Sequence, residues 1–145
     1  MTMDFATPRA RQGSMLLEGL IAILIFSMGI LALMGLQAAS IANTGEAKFR
    51  ADAAFLANKV ISRMWVTNPA NRVADFSPAG TQFLAWKTEV GDQYTGVPGG
   101  IAPTVTFTAP RPNTTNVVVT VMWRSPNQPA SSPQHSYVVQ TEFSP

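Results

Sequence analysis

Residues 13 to 18, Gly13-Ser14-Met15-Leu16-Leu17-Glu18, carry the chemistry this chain offers most plainly. Glu18 is a single carboxylate at the threshold of a long apolar run. Behind it stand Arg9 and Arg11 in a short polar leader, and ahead of it no charge appears until Glu46. A charged side chain near a bilayer core costs on the order of a few kcal/mol, even when it can reach the interface. Glu18 therefore calls for a partner, and the nearest one available is a new α-amino terminus made by cutting after Gly13. Glycine suits a scissile position because it lets extended backbone enter a narrow active site.

Other reactive groups are scarce. His135 is the sole histidine and lies in a polar, proline-rich stretch, so a surface loop residue is expected rather than a base or ligand. Acidic residues are scattered, without paired carboxylates or metal-ligand spacing, and no glycine-rich phosphate loop follows a strand. The absence of cysteine excludes a disulfide framework, a thiolate metal site and lipidation of an N-terminal cysteine. Neither an enzyme nor a cofactor is expected. Lys87, Arg111 and Arg124 could contribute to a basic surface, but they form no cluster with interleaved aromatics. With a net charge of only +2, no nucleic-acid partner is expected. Asn113-Thr114-Thr115 fits a glycosylation sequon and is read as a chance match.

The element that must position Glu18 is a helix. From Gly19 to Leu36 the chain is uninterruptedly apolar or small, and Ser14 to Leu17 extend the run. Twenty-odd residues at about 1.5 Å rise span roughly 30–35 Å, the thickness of a bilayer core. Arg9 and Arg11 precede the run and no basic cluster follows it directly, which keeps the N-terminus cytoplasmic. A secretory signal has an h-region of only about 7–15 residues. Ala38-Ala39-Ser40 could supply its cleavage site, but the run is too long and Glu18 sits badly at its start. An ordinary single-pass anchor explains the length and leaves Glu18 unexplained. A buried helix of a soluble protein would be unusual at this apolar length.

Past Gln37 the pattern turns amphipathic. Phe49, Ala53, Leu56, Val60 and Met64 recur at helical spacing, the stripe of a helix lying on a core. Glu46 and Arg50 stand at i, i+4, where a pair adds a few tenths of a kcal/mol. One helix from about Ser14 to Val66 is the simplest reading, ended by Asn68-Pro69 because the residue before proline avoids the α region. Gly29, Gly35 and Gly45 are weak points in it, each costing up to about 1 kcal/mol relative to alanine.

After residue 68 the composition shifts, and ten of the eleven prolines lie there. Val117, Val119, Val121 and Trp123 alternate against Thr120, Met122 and Arg124. Tyr137, Val139 and Phe143 alternate likewise against Gln140 and Glu142. Phe83 to Val90 and Thr104 to Thr108 are weaker strand candidates. Alternation between proline-rich turns predicts a small antiparallel sheet with one face on the helix stripe. The fold class expected is α+β, and Trp65, Trp86 and Trp123 are expected in its core.

The N-terminal arrangement resembles the type IV prepilin signal: a basic leader, a glycine at the cut, a glutamate at the fifth mature position, then a hydrophobic helix. Further stretches are similar to the minor pilins of the PilV, or type IV pilus modification, family. They are Leu16-Leu17-Glu18, Ile25-Phe26-Ser27-Met28-Gly29-Ile30-Leu31, Gly35-Leu36-Gln37, and Leu56-Ala57-Asn58-Lys59 through Arg63-Met64 to Asn68-Pro69. The resemblance covers roughly the first half of the chain. It implies a pilin-like fold with a leader over 1–13, a transmembrane and filament-core helix over 14–36, its amphipathic half over 37–68 and a β-sheet head over 69–145.

The resemblance also implies that a membrane-embedded aspartyl prepilin peptidase cuts after Gly13 and that the new amine of Ser14 is methylated. Family members more often begin with phenylalanine, so Ser14 is a departure. Glu18 would then pair with the α-amine of an adjacent subunit. Gly29 to Gly35, where pilins often carry a helix breaker, would allow local unwinding or close helix packing. The implied location is the inner membrane of a diderm bacterium, in contact with membrane lipid and with the head periplasmic, and afterwards the pilus on the cell surface. Implied partners are other minor pilins, the major pilin, the inner-membrane assembly platform and a tip adhesin, in a complex that primes filaments for twitching and adhesion. Many major pilins close a C-terminal loop with a disulfide, which this chain cannot do. Two alternatives stay open: a minor pseudopilin of a type II secretion system, and a membrane-anchored adhesive or ligand-binding module.

Overall fold

The computed structural model describes residues 12–111, 113–126 and 128–144. Helix α1 runs Gln12–Val66, followed by α2 (Pro69–Phe76), α3 (Thr81–Val90) and strands β1 (Thr104–Arg111), β2 (Thr114–Trp123) and β3 (His135–Phe143). This is an α+β chain: one long N-terminal helix and a small three-stranded antiparallel sheet in the order β1-β2-β3. By its internal contacts the chain divides at residue 43, with Thr44–Pro145 forming the second unit.

In the first unit every described side chain from Ser14 to Asn43 is exposed. The helix survives there without a core because its backbone groups satisfy one another along the axis. Ser27 extends this self-sufficiency, donating its hydroxyl to Ile23 O at 2.7 Å. Gly29 and Gly35 remain helical, with nothing near the space a side chain would fill.

In the second unit α1 presents Ala53, Leu56, Ala57, Val60, Ile61 and Met64 as one buried stripe, with Phe49 partly buried beside it. The expected amphipathic pattern is thus the wall of the core. β2 supplies Val117, Val119, Val121 and Trp123 to the same cluster, and Phe143 joins from β3. Full burial of such side chains contributes about 1.5–3 kcal/mol each. β2 and β3 pair without interruption from Thr115↔Phe143 to Trp123↔His135. Asn113, with φ 62°, lies at the turn between β1 and β2 in the left-handed region that asparagine tolerates.

Where α1 ends, two residues do separate work. Asn68 caps α2 by accepting from Ala70 N at 3.0 Å, and Pro69 takes the first helical position, where a missing N–H costs nothing. Arg72, buried on α2, donates Nε to Met64 O at 2.8 Å and Nη2 to Thr67 O at 3.3 Å. It brings a cation to the negative end of the α1 dipole. Its guanidinium also lies 4.4 Å from the centre of the Phe143 ring, which ties β3 to the same corner.

One expected strand is a helix. Phe83 to Val90 belongs to α3, and its buried residues Phe83, Trp86 and Val90 are spaced by three and four. Trp86 is fully buried and donates Nε1 to Leu56 O at 3.0 Å, so α3 packs on α1 as a helix must. The preceding Gly80 is obligatory, since a Cβ there would stand 2.1 Å from Asp75 O. The tryptophans also divide. Trp86 and Trp123 are core, whereas Trp65 is 55% exposed and only edges the Phe143 ring, 4.6 Å between centroids.

Glu89 on α3 bridges two turns of α1, meeting Lys59 Nζ at 2.8 Å and Arg63 Nη2 at 2.6 Å. The Lys59 ammonium first, then the Arg63 guanidinium, hold its carboxyl below the ordinary value of 4.5. The groups are half-buried, so solvent screens part of the attraction. Because the folded carboxyl ionises more readily than the unfolded one, this stabilisation is complete above pH 4.5 and fades as pH falls below it. Urea denaturation from pH 7 to 3 is expected to show Glu89→Gln less stable than the parent at neutral pH, the gap narrowing in acid. A gap independent of pH would contradict the bridge.

Candidate functional site

Gly13, Ser14 and Glu18 all lie in the first turns of α1. Arg9 and Arg11 fall outside the described residues. Helical spacing puts Ser14 and Glu18 one turn apart on one face, and both are exposed. Around them, fifteen large apolar side chains between Met15 and Leu36 are exposed, from 42% at Ile30 to 74% at Met15. The largest apolar patch on a typical soluble monomer is about 300–600 Å², and a helix apolar on every side exceeds that. It is long and apolar enough to cross a membrane. Such a surface is compatible with a single-pass membrane anchor.

The Gly13–Ser14 peptide bond lies in the first described turn of α1.

A second constellation lies wholly in the Thr44–Pro145 unit and was not legible as a site. Glu46 does not turn to Arg50. Ser125 Oγ donates to Glu46 Oε1, and His135 Nε2 lies 3.7 Å from Glu46 Oε2. His135 is therefore not a surface loop residue. It opens β3 opposite Trp123, its ring stacks on the indole with centroids 5.7 Å apart, and the Gln128 amide lies 3.2 Å from its Nε2. Glu46, Ala47, Arg50, Trp123, His135 and Ser136 line a cleft of about 460 Å³. Sequence offered one signal for it, an acidic residue and a histidine flanking runs that fold together. Their pairing needed the β2–β3 register.

The remaining basic candidates do not converge. Lys87 is exposed on α3, Arg124 is half-buried after β2, and the Arg111 side chain lies outside the described residues. Among the described residues no group of histidine, aspartate and glutamate side chains could hold a metal ion. Asn113, the sequon asparagine, is an exposed turn residue.

The chain matches no family model, no curated protein and no solved structure. The α+β layout of a long N-terminal helix with a small antiparallel sheet is that of a pilin-like fold.

Ser125 is buried, and its hydroxyl is the hydrogen-bond donor on Glu46 Oε1. Removing one partner of a hydrogen bond to a charged group costs about 1.5–3 kcal/mol, less where water can replace it. Ser125→Ala is expected to lower stability by about 1 kcal/mol in urea denaturation. An unchanged midpoint would show that Glu46 does not depend on this donor.

Proposed function

We propose that this chain is a minor pilin of a type IV pilus, cut by a prepilin peptidase after Gly13 and built into the complex that primes the filament. The observation that carries the reading is the setting of Glu18, the only charged residue between Ser14 and Gly45, on a helix exposed and apolar on every side. No single-pass anchor needs a carboxylate there. A bundle of such helices does, because a buried carboxylate left unpaired is strongly destabilising.

The mechanism follows from that charge. The subunit waits in the inner membrane with its head in the periplasm, its helix solvated by lipid. Cleavage after Gly13 exposes the α-amine of Ser14, the site proposed for methylation. In the filament the Glu18 carboxylate of one subunit meets the amine of its neighbour in a low-dielectric bundle. Apolar packing supplies the cohesion, and the ion pair supplies axial register, since a slipped register strands both charges. Arg9 and Arg11 hold the leader at the cytoplasmic face until the cut. The exposed helix and the alternating sheet suit a subunit that other minor pilins, the major pilin, the assembly platform and a tip adhesin would contact, serving adhesion and twitching.

Two variants separate the steps. Gly13→Ala is expected to keep the leader, leaving full-length protein in the membrane by mass spectrometry; mature protein at parental levels would sink the cleavage claim. Glu18→Ala is expected to be cut normally yet fail to enter sheared filaments. Parental piliation and twitching with Glu18→Ala would count against the pairing mechanism.

A further inference from the structure

We infer that the free edge of β3 is a docking site for an extended segment of another protein, which joins the sheet as one more antiparallel strand and carries a lysine or arginine opposite Glu142. β3 is an outer strand in the order β1-β2-β3. In an edge strand every second residue turns its N–H and C=O away from the one neighbouring strand. Between Ser136 and Glu142 those groups have no partner among the described residues. Such a row is a template for a further strand, and folded chains ordinarily blunt it with a bulge, a proline or a lysine. The other edge, β1, is blunted. Its register with β2 shifts between Thr108 and Arg111, and Pro110 offers no N–H. β3 has none of these devices. It pairs with β2 in register over all 9 residues and contains no proline, lysine or arginine.

In strand addition the main chain supplies affinity and alternate side chains supply specificity. Tyr137, Val139 and Thr141 are half-buried, and the first two pack against the core. Apolar β-branched residues opposite these three would continue the core face outward. Ser136, Val138, Gln140 and Glu142 are exposed on the other face, Val138 to 55%. Gln140 is taken, donating Nε2 to Asn116 Oδ1 on β2 at 3.0 Å. Glu142 has no ion pair among the described residues. Asn116, Gln140, Thr141 and Glu142 line a groove of about 370 Å³. Thr141 and Glu142 belong to opposite faces of the strand, so this groove passes over the edge itself. A second copy of the chain fits less well. Two β3 strands paired about Val139 set Ser136 opposite Glu142, and His135, the one basic side chain of the strand, already faces Glu46. Charge therefore selects a strand from another protein. β3 lies wholly in the Thr44–Pro145 unit, so the site does not depend on cleavage or filament assembly.

The test uses the full-length ¹⁵N-labelled chain in detergent micelles and the peptide acetyl-Lys-Val-Thr-Val-Thr-Val-Thr-amide. Its lysine falls opposite Glu142 when its valines oppose Thr141, Val139 and Tyr137. Saturable amide shifts and slowed amide exchange along Ser136 to Glu142 are the expected result. The peptide with glutamate in place of lysine is expected to bind about threefold more weakly or worse. Glu142→Lys changes an exposed side chain and is expected to reverse that order, and an unaltered β2 spectrum without peptide verifies its fold. No saturable binding, equal binding of a peptide with proline as its central residue, exchange slowed at β1 instead, or a preference unchanged in Glu142→Lys would each overturn the inference. So would protection of β3 that rises with chain concentration alone, which assigns the edge to a second copy.

Discussion

An uninterrupted backbone hydrogen-bond ladder from Gln12 to Val66 is the constraint on which everything else depends. A helix is the only open segment that can satisfy its polar backbone in hydrocarbon. The same ladder can wall a water-facing core if its side chains change character along the way. This chain makes that change after Gln37. Up to Asn43 no described side chain is buried, and from Ala53 to Met64 the buried stripe organises the sheet and α3.

A helix so placed must also stop cleanly, and the stop is held by charge as well as by proline. Pro69 prevents continuation, but Arg72 satisfies Met64 O and Thr67 O and packs on Phe143. The last turn of α1, the start of α2 and the end of β3 therefore share one buried cation. Lys59, Arg63 and Glu89 add a second clamp between α1 and α3. Within the second unit, α2, α3 and β3 are thus held to residues 59–67 at both a corner and a flank.

Much of this was legible in the residues. No proline interrupts positions 9 to 68, the apolar stripe keeps helical spacing, and β2 alternates from Val117 to Trp123, so the long helix and the sheet's central strand read directly. The helix α3 did not. Leu84, Trp86 and Val90 fall on alternate positions in a stretch rich in β-favouring side chains, which mimics a strand. Only the spacing of Phe83, Trp86 and Val90, with Trp86 reaching Leu56 O thirty residues away, reveals the helix. The cleft was illegible for a related reason. A local i, i+4 rule pairs Glu46 with Arg50, but a donor 79 residues distant and a histidine set by strand register take the carboxylate instead. Charge at the N-terminus was easier, because a lone carboxylate in an apolar run needs no tertiary knowledge to look out of place.

The central claim is that Glu18 is kept in that run to meet an amine created by cleavage. The most direct measurement is the N-terminal mass of this protein recovered from sheared surface filaments and, separately, from the membrane fraction. Chains beginning at Ser14 in the filaments, at a trace level relative to the major subunit, are the expected result. Chains retaining the leader before Ser14, or processed chains confined to the membrane, would contradict it.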